Sequence, residues 1–266
     1  TRVLTETGVG VVNIDDPKGL EIEGLCAERS IDVMRVGRSD VADLRILGQR
    51  FDATGQDLRI DFVGNIYQIR LDLIGGFQAD NVMAAAGLVM ASGGDPEEVF
   101  SCLPELTGVH GRMEHAATRG NGAAVFVDYA HTPDAISTAI KALRPHVMGR
   151  VVALIGAGGD RDSSKRPLMG QAAAEAADVV FVTDDNPRSE DPADIRAAVM
   201  AGAPNAIEVA DRSEAILRAV DALQPGDALI VCGKGHETGQ VIGDIVYPFD
   251  DVEQASISVA ALDGAL

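Results

Sequence analysis

The sequence predicts an α/β protein whose second part is a Rossmann-like, doubly wound, mostly parallel sheet. Two observations carry this. From residue 108 onward, short apolar runs alternate with helix-patterned segments at the spacing of βαβ units. Four of those runs also end in loops rich in Gly, Asp, Asn and Arg, as strands do when they deliver ligand groups to one sheet edge. Before residue 108 the rhythm differs, so residues 1–107 read as one unit and residues 108–266 as another.

In the first unit, residues 10–14 and 31–36 are short apolar strands, the first running into Asp15, Asp16 and Pro17. Residues 44–51, 58–63 and 67–73 alternate in polarity around the turn signals Thr54-Gly55 and Gly64-Asn65, which predicts an antiparallel meander. Residues 78–90 have helical composition. Asp95 and Pro96 form a helix start that ends near Pro104. In the second unit, strands are expected at 123–127, 151–155, 179–182, 206–209 and 228–232. Helices are expected at 133–143, 166–177, 192–201, 213–222 and 252–262, with a hairpin around Gly243-Asp244. The first seven residues look like the tail of a helix, and with no initiator Met the chain reads as truncated.

Composition limits the function classes. A net charge of −19 speaks against nucleic acid and anionic membrane as general partners, because both need a basic surface. A hydrophobic share of 46% with 24% charged residues is that of a soluble globular chain. The longest apolar stretch, near residues 82–90, is too short to cross a bilayer. Cys26, Cys102 and Cys232 lack metal-ligand spacing. They read as buried apolar residues in a reducing, cytoplasmic setting.

The chemistry-bearing residues sit after strands of the second unit. They are Asp128-Tyr129-Ala130-His131-Thr132-Pro133, then Gly158-Gly159-Asp160-Arg161-Asp162 with Lys165-Arg166-Pro167. Asp185-Asn186-Pro187-Arg188 and Gly233-Lys234-Gly235-His236-Glu237 follow. An Arg in a Pro-stiffened turn suits bidentate capture of a carboxylate. Known nucleotide loops fail: the segment 156–159 lacks G-x-G-x-x-G spacing. Gly233-Lys234-Gly235 lacks both the upstream Gly and the Ser or Thr of a P-loop.

These segments, with Gly111-Arg112-Met113-Glu114, occur in the order and spacing of the Mur ligases of peptidoglycan synthesis, which the chain closely resembles. The closest likeness is to the branch that adds the third residue to UDP-N-acetylmuramoyl-L-alanyl-D-glutamate. Asn13-Ile14-Asp15-Asp16 and Gly76-Phe77-Gln78-Ala79-Asp80-Asn81 match the latter part of the family's central ATPase domain, although Gln78 stands where Asn is usual. The resemblance implies an ATP-dependent amide ligase acting through an acyl phosphate. Its P-loop, Mg2+ ligands and UDP-binding domain would lie outside this chain, and no metal ligand is assigned within it.

The resemblance also implies roles. Asn81, Arg112 and Asp128 would serve ATP, with Arg112 near its phosphates as the catalytic cation and Asp128 on the ribose hydroxyls. Arg161, Asp185, Asn186, Pro187, Arg188, Gly233 and Glu237 would form a pocket for meso-2,6-diaminopimelate. Alternatives stay open: a related ligase adding lysine, or a non-catalytic module binding an amino acid or nucleotide. Arg188 could instead pair with Glu190 or Asp191, and Lys165 and Arg166 with Asp160 or Asp162. His131 and His236 read as loop-orienting residues, and His110, His115 and His146 as solvated ones.

Overall fold

The computed structural model describes Leu4 and residues 7–264, in two compact units that meet in sequence at Thr107 and Gly108. The helix tail expected over residues 1–7 falls largely outside the described residues.

The first unit carries a five-stranded sheet in simple order: β1 (Val9–Asn13), β2 (Asp32–Gly37), β3 (Leu44–Asp52), β4 (Gly55–Phe62) and β5 (Asn65–Leu71). Strands β1, β2 and β3 pair in parallel. β3, β4 and β5 form the expected antiparallel meander, with a register shift between Ile46 and Gly48. The alternate residues Leu44, Ile46, Leu58, Ile60, Ile69 and Leu71 point inward. They meet Ala79, Met83 and Ala86 of α2 (Phe77–Ala91), and Phe100 at the end of α3 (Pro96–Cys102).

The helix α1 (Pro17–Ala27) joins β1 to β2 and was not expected. Its start was legible, since Asp16 caps the Lys18 amide and Pro17 occupies the first turn. Its apolar pattern was not: Leu20, Ile22 and Leu25 are exposed, while Gly19 and Cys26 are buried.

The second unit is doubly wound around a six-stranded sheet. Its strands are β6 (Glu114–Thr118), β7 (Ala124–Asp128), β8 (Val151–Ile155), β9 (Val179–Val182), β10 (Ile207–Glu208) and β11 (Ala228–Cys232). The spatial order is β10-β9-β8-β11-β7-β6, parallel except at β6. The edge strand β6 was also missed; its Glu-His-Ala-Ala-Thr sequence has little β-forming character and its pairing is interrupted between His115 and Ala117.

Every residue of β8 and β11 is buried, as expected of parallel strands covered on both faces. Residues Val125, Val127, Val152, Leu154, Leu229 and Val231 pack on Ile216, Ala219 and Val220 of α7 (Arg212–Asp221) and on Ala255 and Val259 of α8 (Asp251–Leu262). The other face meets α4 (Pro133–Leu143), α5 (Lys165–Ala176) and α6 (Pro192–Met200), which pack on one another in series. The hairpin β12 (Gly239–Ile242) and β13 (Ile245–Pro248) follows β11.

Two surface assignments are corrected. His146 is 5% exposed, because the 3-10 turn Arg144–His146 that ends α4 folds it inward. Cys102 is exposed at the last turn of α3, whereas Cys26 and Cys232 are buried. Among the described residues no helix is long and apolar enough to cross a membrane.

Candidate functional site

Because β7, β8, β9 and β11 run in parallel, their carboxyl ends face one edge, and the four polar loops meet there. They enclose a cavity of about 320 Å3. Its walls include Arg161 after β8, Asp185, Asn186 and Arg188 after β9, and Gly233 and Glu237 after β11.

The turn after β9 is the most constrained part. Arg188 holds a left-handed backbone at φ 53°, unusual for a residue with a side chain. Two contacts fix it there: its amide donates to the Val241 carbonyl at 3.0 Å, and its carbonyl accepts from the Gly243 amide at 2.8 Å. The hairpin therefore grips the turn from outside. From inside, Gly159 lies so close that a Cβ there would stand 1.8 Å from the Pro187 carbonyl oxygen, so only glycine fits. Pro187 is buried behind the turn, outside the cavity lining.

The Arg188 guanidinium donates to the Gly159 carbonyl at 2.8 Å and has no carboxylate partner among the described residues. It is not the ion-pair partner of Glu190; Arg166 takes that place at 2.8 Å. Arg166 is buried and its Nε finds no acceptor. Lys165 stands 3.9 Å from Asp162, a loose exposed pair. Arg161 is exposed, bonded only to the Asp160 carbonyl among the described residues. Two guanidinium groups thus retain free donors at the cavity. The Glu237 carboxylate, in the lining of the same cavity, accepts from Asn186 Nδ2 at 2.9 Å.

Behind this wall lies a group of buried charges; the sequence reading assigned Asp185 to the ligand pocket but gave no role to Lys234, Arg212 or Asp251. Lys234 is wholly buried. Its Nζ donates to Asn186 Oδ1 and to the Gly239 carbonyl, each at 2.9 Å, and lies 3.1 Å from Asp185 Oδ1 in a charge contact without hydrogen-bond alignment. Burial pushes the Lys234 pKa below the usual lysine value, and Asp185 opposes the shift. Arg212 and Asp251 form a second pair, both side chains at 0% exposure. Burial works against the Arg212 charge, but Asp251 outweighs it and raises its pKa above the usual arginine value. Arg212 also donates to the carbonyls of Asp184 and Cys232, tying the ends of β9 and β11 together. Asp184 pairs with Arg196 of α6, and burial raises its pKa against that pairing.

At the end of β7, the Asp128 carboxylate accepts from the amides of Met113 and Ala130, each at 2.8 Å. Each oxygen retains a lone pair for a further donor. Burial pushes its pKa up, against those two amides and the nearby Arg112 charge. The Arg112 guanidinium lies 4.6 Å from the centre of the Tyr129 ring, which His131 and His236 flank at 4.6 and 4.9 Å. His131 Nδ1 contacts the Tyr129 carbonyl at 2.8 Å, in keeping with a loop-orienting role. Asn81 belongs to the first unit, on α2, beside Gln78 at 3.3 Å. His110 is half-exposed near Glu114, and His115 is on the surface.

Among the described residues, no group of three or more His, Cys, Asp or Glu side chains is placed to hold a metal ion. The cavity suits a small molecule with anionic groups facing Arg161 and Arg188 and a cationic group at Glu237.

A model of the Mur ligase middle domain matches residues 2–89, and one of the Mur ligase glutamate ligase domain matches residues 111–235. The UDP-N-acetylmuramoyl-L-alanyl-D-glutamate–2,6-diaminopimelate ligase of Caulobacter vibrioides is 45% identical over 262 residues, 98% of this chain and 53% of the relative. The enzyme of that name from Zymomonas mobilis is 46% identical, covering 96% and 53%. A solved structure of a ligase of that name superposes with a TM-score of 0.71 at 33% identity, over 96% of this chain and 53% of the other. The chain spans about half the length of the curated relatives it matches. With two of the family's domains matched in succession and relatives alike along nearly its whole length, the chain belongs to the Mur ligase family.

Proposed function

We propose that the chain is part of an ATP-dependent ligase that joins meso-2,6-diaminopimelate to UDP-N-acetylmuramoyl-L-alanyl-D-glutamate in cytoplasmic peptidoglycan synthesis. The observation that carries the reading is the charge of the cavity lining: free guanidinium donors of Arg161 and Arg188 and the Glu237 carboxylate meet in one cavity. The distal end of meso-diaminopimelate bears a carboxylate and an ammonium and complements both. Lysine lacks that carboxylate, so its binding leaves Arg188 without an anion. A stranded, partly buried charge costs about 2–5 kcal/mol.

In this reading ATP transfers its γ-phosphoryl group to the D-glutamyl side-chain carboxylate, giving an acyl phosphate and ADP. The free amine of diaminopimelate attacks the acyl carbon, the amide bond forms, and phosphate leaves. The residues here hold the amine in line and provide part of the nucleotide site. Asp128 accepts from the ribose hydroxyls, and Arg112 offsets phosphate charge. Mg2+ would neutralise phosphate charge; among the described residues no group of three or more His, Cys, Asp or Glu side chains is placed to hold it.

Calorimetric titration of the 266-residue chain with meso-diaminopimelate and with lysine tests the reading. Meso-diaminopimelate should bind at least tenfold more tightly, and Arg188→Ala should abolish the preference. Equal affinities for the two amino acids in the unaltered chain would refute it.

A further inference from the structure

Gly233-Lys234-Gly235 carries a lysine between two glycines at a sheet edge, yet it is no phosphate loop. Both glycines have positive φ, 120° and 53°, and Lys234 is fully buried instead of reaching over the edge. It cannot touch a molecule in the cavity, so its charge acts on protein groups alone.

Its main partner is Asn186. Two donors converge on Asn186 Oδ1, Lys234 Nζ at 2.9 Å and the Val241 amide at 2.9 Å. Neither donor can accept a hydrogen bond, so only the oxygen of the side-chain amide can face them. The Nδ2 group must therefore point the other way, where it donates to Glu237 Oε2. One Nδ2 hydrogen serves Glu237 and the second is left for a ligand acceptor. If the amide turned over, Nδ2 would meet the Lys234 ammonium and the oxygen would meet the Glu237 carboxylate, with like partners opposed at both ends.

We infer that Lys234 is a positioning residue that fixes the direction of the Asn186 amide, and so makes the pocket select an amino acid whose far end bears a carboxylate beside its ammonium. The inference rests on the proposed ligand reading and adds a determinant behind the wall of the site. Asp185 and the Gly239 carbonyl hold the ammonium under the turn, and the Phe249 ring centre lies 5.9 Å from it.

The test compares Lys234→Met, Asp185→Asn, the double variant and Asn186→Asp, each titrated with meso-diaminopimelate and lysine. The double variant removes the carboxylate that Lys234→Met alone would strand. Relative to Asp185→Asn, it should lose about 10- to 100-fold in affinity for meso-diaminopimelate, the worth of a charge-assisted hydrogen bond. Its lysine affinity should change less than about threefold on the same scale. Asn186→Asp keeps an acceptor for Lys234 but sets a second carboxylate against Glu237, and should lose the preference as well. An unchanged ratio in the double variant, or equal loss for both ligands, overturns the inference. A ligand-free measurement separates it from the reading it rests on. In the 15N-labelled chain the Asn186 side-chain amide pair should be sharp, and should broaden or double in the double variant but not in Asp185→Asn. An unchanged pair overturns the positioning role whatever binds. A chain that fails to prefer meso-diaminopimelate while the pair does broaden overturns the ligand reading and leaves the positioning role supported.

Discussion

At the scale of the residue, the candidate site gathers a few uncompensated charges of both signs in the lining of one small cavity. Arg188 and Arg161 retain donors, and Glu237 retains an oxygen beyond the one bonded to Asn186. Glu237→Gln keeps an acceptor for Asn186 while removing the charge that faces an ammonium. We expect affinity for meso-diaminopimelate to fall roughly tenfold, with little change in melting temperature, as read by calorimetry beside thermal denaturation. The Arg, Asn and Glu of this site were legible in the sequence because their chemistry is exposed in motifs after apolar runs. Lys234 was read only as a failed phosphate loop. The fact that decides its role, burial against the turn after β9, joins residues 48 positions apart.

At the scale of the element, the strand ends are held in place from both sides. On the edge away from the cavity, Asp227 accepts from the Gln224 and Arg150 amides and from the Arg150 guanidinium, pinning the starts of β8 and β11. Burial opposes its charge, but those donors prevail and keep its pKa below the usual carboxylate range. A lowered folded-state pKa means stability that is present above the unfolded pKa, about 4, and is lost as pH falls through the folded value. Asp227→Asn should therefore cost about 1–3 kcal/mol at pH 7 in urea denaturation. The gap between variant and parent should narrow steadily below about pH 4. Most elements of the second unit were legible because strands such as Val151–Ile155 are unbroken apolar runs flanked by Gly or charged residues. The helix α1 and the strand β6 were not. Each lies at a margin where few of its residues are buried, so packing imposed little pattern on them.

At the scale of the whole molecule, each of the two units has its own core, one on the meander and α2, the other around β8 and β11. Segment-resolved hydrogen exchange checks this. Leu58→Ala should cost about 2–5 kcal/mol and speed exchange in β3 to β5 and α2. Arg212→Ala strands the buried Asp251 and should cost about 3–5 kcal/mol, with faster exchange in α7, α8 and the loops after β9 and β11. By itself, the sequence determined the α/β class, the alternation of elements, the strand-end loops and the family whose motifs they carry. Those are properties of local pattern, written in contiguous residues by the repeat of strand and helix. Only the tertiary structure decided the strand order, the cavity and the buried charges Lys234, Asp185, Arg212 and Asp251 behind it. Lys234 and Asp185 follow β11 and β9, and Arg212 and Asp251 open α7 and α8, so each pair joins segments far apart in the sequence that only the packed sheet and its helices bring together.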